Sequence, residues 1–227
     1  MRTPVWLMLY GIYLYFCCTS FVRASRALEP FIKRSYVAIW KWVQRFSSMA
    51  DRFRVERGKV KCILVDETSA KIKGVEAWVW VAVEPYLKCF LGFYVTWSRS
   101  NLSAYLFLKE LRRRYGRKPI YTDDASWYPL ACKWLKLEHH VFDDEWKEFM
   151  ERMNQYLKDR TECFDDLFPC FKEGCKREHV NNWLTFFIYY HNYVRNNEEE
   201  GKPPLGDTSK PEHLRFIDMM MEVMTLS

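Results

Sequence analysis

The sequence predicts an α/β protein with a small all-α segment ahead of it, and three observations carry that expectation. Apolar runs of strand length recur at 61–66, 77–83, 89–95, 119–123 and 139–142, bounded by turn signals. Charged segments of helical periodicity separate the later runs. The first fifty residues differ from the rest: they hold Arg2, Arg23, Arg26, Lys33, Arg34, Lys41 and Arg45 against one acid, Glu29, whereas the remaining chain carries 28 residues of each sign. A basic head on a neutral body is what a polyanion-binding module joined to something else looks like. A solvated basic face with no partner is the plainer alternative. With 227 residues, 49% hydrophobic and 18% aromatic, the chain has enough apolar surface for one substantial core without disulfide staples.

Residues 4–22 contain no charge, long enough to raise a membrane span or a signal sequence. Against that, no small-x-small cleavage site follows, six aromatics and Gly11 interrupt the stretch, and a basic amphipathic segment begins at once. We read it as the first helix of a packed bundle, with no membrane partner. A membrane-anchored protein using residues 4–22 stays as an alternative. Two short helices follow at 21–30 and 35–46. Ser35 suits an N-cap, and Val37, Ile39, Trp40, Val43 and Phe46 form the expected buried stripe. Together these make a helix-turn-helix in which 35–46 is the recognition helix, presenting Tyr36, Lys41, Gln44 and Arg45. Arg23, Arg26, Lys33 and Arg34 would touch phosphates. Residues 47–58 lose the periodicity and read as a linker.

The body then runs strand, strand, strand, helix, strand, helix, strand, helix. The helices fall at 101–115, 126–135 and 144–159, and Gly116 is the stop for the first of them. Three antiparallel strands followed by alternating α and β elements is the order of the ribonuclease H-like fold, here a mixed five-stranded sheet with flanking helices. The expected division is a helix-turn-helix domain at 1–50, a catalytic domain at 57–200 and a C-terminal tail at 201–227.

Three carboxylates sit where a metal-dependent site needs them. Asp66 ends the apolar run Cys62-Ile63-Leu64-Val65, and Asp123 ends Pro119-Ile120-Tyr121-Thr122. Glu151 lies in the helix at 144–159. Acids from two strand ends and one packed helix can hold two Mg²⁺ ions roughly 3.5–4 Å apart, the arrangement that serves phosphodiester chemistry. Asp124 reads as a turn former rather than the second ligand. Glu67 alternates to the opposite side of its strand from Asp66. Glu151 and Lys158 are seven residues apart and share a helix face, although ordinary surface charge pairs would look the same. Trp127 and Tyr128 could stack on a base, or could be core.

These blocks resemble a known family. Val65-Asp66-Glu67-Thr68, then Tyr121-Thr122-Asp123-Asp124-Ala125-Ser126-Trp127-Tyr128-Pro129, then Met150-Glu151-Arg152 running into Leu157-Lys158-Asp159-Arg160-Thr161 are similar to the catalytic blocks of prokaryotic insertion-sequence transposases of the DDE class. The nearest likeness is to archaeal members of the insertion-sequence family numbered six. The resemblance implies that Asp66, Asp123 and Glu151 are the metal-binding acids, for two Mg²⁺ or Mn²⁺ ions. It implies that Lys158 holds DNA near the scissile phosphate. The interval of 27 residues between Asp123 and Glu151 is shorter than the resemblance leads one to expect, which leaves Glu145 and Glu148 as alternatives.

Cys163, Cys170, Cys175 and His179 form a C-x6-C-x4-C-x3-H pattern, a valid donor set for a structural zinc; free thiols or a disulfide are its alternatives. The function expected is a transposase that binds terminal inverted repeats of double-stranded DNA, cleaves strands at the element ends and transfers them to target DNA. Such a protein would be cytoplasmic, associated with the nucleoid, and assembled as a homodimer or larger. A catalytically inactive, transposase-derived DNA-binding protein is the runner-up.

Overall fold

The computed structural model describes residues 3–18, 20–72, 75–160, 176–198 and 200–225. They divide into two compact units, Val55–Arg177 and a second made of Met1–Arg54 together with Glu178–Ser227.

The first unit is the α/β body. Strands β1 (Ile63–Ile72), β2 (Val75–Glu84) and β3 (Cys89–Thr96) form an antiparallel meander, after which come α4 (Asn101–Tyr115), β4 (Ile120–Thr122), α5 (Trp127–Leu135), β5 (His139–Val141) and α6 (Asp144–Asp159). The sheet order is β3-β2-β1-β4-β5, with β4 and β5 parallel to β1. This is the ribonuclease H-like arrangement expected from the element order. Because β1 lies mid-sheet, Ile63, Leu64 and Val65 are fully buried and read as an unbroken apolar run. α4 ends at Gly116, whose φ of +83° is open to glycine; Arg57 packs its guanidinium where a Cβ would stand.

One strand differs from expectation. β1 does not stop at Asp66 but runs six residues further, paired with β2 as far as Ile72↔Val75. Thr68, Ala70 and Ile72 are buried while Ser69 and Lys71 are exposed, so the extension is a half-buried strand of period two. What ends near Asp66 is the ladder to β4, whose pairs are Ile63↔Ile120 and Leu64↔Tyr121.

The helical unit contains α1 (Val5–Cys18), α2 (Phe21–Leu28), α3 (Tyr36–Ala50), α7 (Arg177–Tyr189) continuing through a π-helical turn at Tyr190–Val194, and α8 (Glu212–Thr225). α1 packs against α2, α3 and α8. Two of its aromatic side chains, Tyr15 and Phe16, are core: the Phe16 ring stacks on that of Tyr190 and lies 5.6 Å from that of Trp183, and Tyr15 accepts a 2.7 Å hydrogen bond from the Trp183 indole. No helix among the described residues is long and apolar enough to cross a membrane.

Three expectations are corrected here. The compact α/β unit closes at residue 177 and not at 200, and 201–227 is not a tail. α8 docks on α1, burying Phe216 and Met220, with Tyr189 donating to the Phe216 carbonyl at 2.9 Å. α3 runs to Ala50 because its buried stripe is Ile39, Trp42, Val43, Phe46, Ser47 and Ala50. That i, i+3, i+4, i+7 pattern centres on Trp42, whereas Val37 is exposed and Trp40 lies half-buried against His179.

Candidate active site

The register that aligns Ile63 with Ile120 and Leu64 with Tyr121, carried two residues further, brings Asp66 beside Asp123. Neighbouring strands lie about 4.8 Å apart, so both acids emerge together at one edge of the parallel ladder. Each is held by its own backbone. Asp66 Oδ1 accepts from the amide of Glu67 at 2.8 Å, and Asp123 Oδ1 accepts from that of Ala125 at 3.2 Å. The end of β4 is braced as well: the buried Thr122 hydroxyl donates to the Asp123 carbonyl at 2.7 Å and lies 2.8 Å from His139 Nε2.

Asp66 has a second partner that the sequence does not signal by itself. Asn154, on the face of α6 that packs on β1, donates from Nδ2 to Asp66 Oδ2 at 2.7 Å. The other amide atom of Asn154, Oδ1, is buried with no hydrogen-bond partner. Asn154 stands three residues after Glu151 and four before Lys158, the helical spacing that puts all three on one stripe. That spacing was the available signal. Glu151 itself is exposed, and among the described residues no three His, Cys, Asp or Glu side chains gather closely enough to hold a metal ion. The structure therefore pairs Asp66 with Asp123 and brings the helix of Glu151 and Lys158 against Asp66 through Asn154.

Glu67 points away from Asp66, as strand alternation predicts, into a closed environment. Its side chain is 2% exposed and accepts from the Tyr128 hydroxyl and, at 3.4 Å, from Arg99 Nη1. Tyr128 is fully buried, so it is core rather than a base-stacking surface. The acids burden one another: burial, with smaller repulsion from Glu67 and Asp123, pushes the Asp66 carboxyl up to about 7. Glu67 is raised too, first by burial, then by Asp123.

Of the residues expected to touch DNA in the helical unit, Arg23, Arg26, Lys33, Tyr36, Lys41 and Arg45 are exposed. Arg34 is turned inward, donating from Nε to Thr3 Oγ1 at 2.8 Å. Gln44 is engaged by α7: its amide donates to the His179 carbonyl at 3.3 Å and accepts from Asn182 at 2.9 Å. Of the cysteine cluster only His179 is described, its ring 5.2 Å from that of Trp40; Cys163, Cys170 and Cys175 lie outside the described residues.

A family described as a DDE domain matches residues 60–182, more than half of the chain, a span that includes Asp66 and Asp123. The chain belongs to this transposase DDE domain family. An uncharacterized protein of Methanocaldococcus jannaschii is 27% identical over 183 residues, covering 80% of this chain and 83% of that one. Solved structures similar to it include the catalytic core domain of BIV integrase, with TM-score 0.45, 19% identity and coverage of 63% of this chain and 90% of that one. The HTLV-2 integrase catalytic core domain in complex with magnesium gives TM-score 0.47, 15% identity and coverage of 65% and 96%. The simian T-cell lymphotropic virus intasome gives TM-score 0.50 and 15% identity over 86% of this chain and 72% of that one, a likeness of fold. The DDE family carries transposition-type DNA cleavage and transfer, and this chain has its fold.

Proposed function

We propose that this protein is an insertion-sequence transposase, of the kind grouped in the family numbered six, that binds its element's terminal inverted repeats and performs strand cleavage and strand transfer. The observation that carries the reading is the placement of Asp66 and Asp123 side by side, where the β1–β4 ladder ends, inside the DDE match. Asp66, Asp123 and Glu151 are the acids assigned to it, and Lys158 the cation beside them.

Asp66 and Asp123, side by side, suit the chemistry of a divalent ion such as Mg²⁺ or Mn²⁺. They offer hard oxygen donors, and the Asp66 carboxyl, raised chiefly by burial and less by repulsion from Glu67 and Asp123, is one whose ionised form a bound cation would favour. Bound ions would lower the pKa of an attacking water or 3′-hydroxyl and stabilise charge developing on the phosphate oxygens. This chain's own residues do the positioning. The Glu67 and Ala125 amides fix the Asp66 and Asp123 carboxylates. Asn154 holds Asp66 from the helix, and Glu151, one turn earlier, is the acid that α6 brings to the same stripe. Exposed Arg23, Arg26, Lys33, Lys41 and Arg45 supply the sequence-independent grip on duplex ends. Two ends must be brought together, so a homodimer or larger assembly on nucleoid DNA follows.

The exposed position of Glu151 favours one second reading, an inactive transposase-derived DNA-binding protein. An end-labelled duplex carrying the inverted repeat that flanks the gene, incubated with the intact protein in Mg²⁺ or in chelator, decides between them. Metal-dependent nicking at the element boundary supports the transposase. Tight binding with no nicking in Mg²⁺ or Mn²⁺ supports the inactive form.

A further inference from the structure

Arg99 lies in the turn between β3 and α4, and the pairing of Asp66 with Asp123 makes no use of its charge. Its guanidinium carbon stands 3.7 Å from the centroid of the Trp78 ring and 5.1 Å from that of Trp127, and Nη1 is 3.4 Å from Glu67 Oε1. An arginine on an exposed turn ordinarily samples many rotamers, and ordering one costs about 2 kcal/mol. Here two indoles and a carboxylate hold it, yet 41% of the side chain stays open to solvent. Two of the three groups that hold it belong to the segments carrying the acids: Glu67 follows Asp66 directly, and Trp127 comes four residues after Asp123, while Trp78 lies on β2. α4, a 15-residue helix, begins two residues after Arg99 in the chain with Ser100 as its N-cap.

Carboxylates concentrated at this edge repel a phosphodiester, and a fixed cation beside them offsets that repulsion. Guanidinium suits the task better than ammonium, because it offers five N–H donors in a planar fork and stacks on indole faces. We propose that Arg99 binds a phosphodiester of the DNA strand beside the chain segments that carry Asp66 and Asp123, with Glu67, Trp78 and Trp127 as the residues that position it. The inference rests on the transposase reading for the identity of the strand.

The test uses the full-length protein and a fluorescein-labelled duplex, with anisotropy titrations over a salt series. Ca²⁺ replaces Mg²⁺, and the DNA is checked to be uncut. Arg99→Ala should lower the slope of log affinity against log salt by about 0.9, the share of one neutralised phosphate. Arg99→Lys should keep the slope and bind between the two. In cleavage, Arg99→Ala should raise KM more than it lowers kcat. A lower melting temperature with unchanged slope and KM would assign Arg99 a purely structural role and overturn the proposal, as would Arg99→Lys indistinguishable from wild type. If Arg99→Ala fails to fold, Arg99→Gln, which keeps length and planarity without charge, decides by the same slope. Slope loss in a protein that cuts no DNA would overturn the transposase reading and leave this one standing.

Discussion

Asp66 shows how the site is loaded before any ion arrives. Its carboxyl, near 3.8 when free in the unfolded chain, is pushed up to about 7 in the folded one, chiefly by burial. The folded state therefore disfavours the ionised form. Stability from this group is fully present below about pH 4 and is lost as pH rises through 7. Asp66→Asn removes the charge and keeps the shape, so at pH 8 without metal it should melt several degrees above wild type, at roughly 2–4 °C per kcal/mol. At pH 4 the two should melt together. Differential scanning calorimetry at both pH values checks this; a lower melting temperature for Asp66→Asn at pH 8 would show that Asp66 is compensated by something other than metal. Asn154 acts on the same carboxylate, and Asn154→Ala should slow strand nicking by about 10–100-fold, the usual cost of removing a hydrogen bond that supports a metal ligand. Single-turnover kinetics against a melting curve separates that effect from unfolding. The two apolar runs that stop on Asp66 and Asp123 were legible in the sequence, although β1 itself continues past Asp66. Asn154 was not, since its spacing from Glu151 and Lys158 marks only a shared helix face until β1 is packed beneath it.

Elements were legible where their signals are local. α6 spans the residues its periodicity gives, because Asp143 caps it, accepting from the Trp146 amide at 2.8 Å, and Asp144 and Glu145 occupy its positive end. Asp143→Ala should cost about 1 kcal/mol in urea denaturation, the usual worth of such a cap. Gly116 was likewise readable as a helix stop. Gly116→Ala should cost on the order of 1–3 kcal/mol, because a left-handed backbone and the Arg57 guanidinium both oppose a Cβ. The second half of β1 was hidden for the opposite reason. Glu67, Ser69 and Lys71 interrupt the apolar run, and only pairing with β2 shows the alternation to be a strand. The frame of α3 was ambiguous because Trp40 and Trp42 are chemically alike and only α1 decides which faces inward; Gly11 lets Trp42 approach, its Cβ position lying 3.0 Å from the Trp42 ring.

On the scale of the whole molecule, what the sequence could not reveal is that both ends of the chain build one unit. Residues 201–227 look polar and detached until α8 is placed on α1, and these two helices lie about two hundred residues apart in the chain. This alters how DNA binding is tested. Deleting residues 1–50 would strip α7 and α8 of their partners, uncovering Trp183, Phe186 and Phe216. Replacing exposed Arg23, Arg26, Lys33, Lys41 and Arg45 with alanine leaves that core alone. The variant should bind duplex DNA more weakly and with a shallower salt slope, by about 0.9 for each phosphate no longer neutralised, at an unchanged melting temperature. An unaltered slope would move the DNA-binding face elsewhere. The central claim, that Asp66, Asp123 and Glu151 form one catalytic set, is tested most directly by the nicking rate of an end-labelled terminal-repeat duplex in Mg²⁺. Asp66→Asn, Asp123→Asn and Glu151→Gln should each bind the duplex as wild type does and abolish nicking, while Glu145→Gln and Glu148→Gln cut normally. Wild-type nicking by Asp66→Asn, or by Glu151→Gln with the loss falling on Glu145→Gln or Glu148→Gln instead, would contradict the assignment.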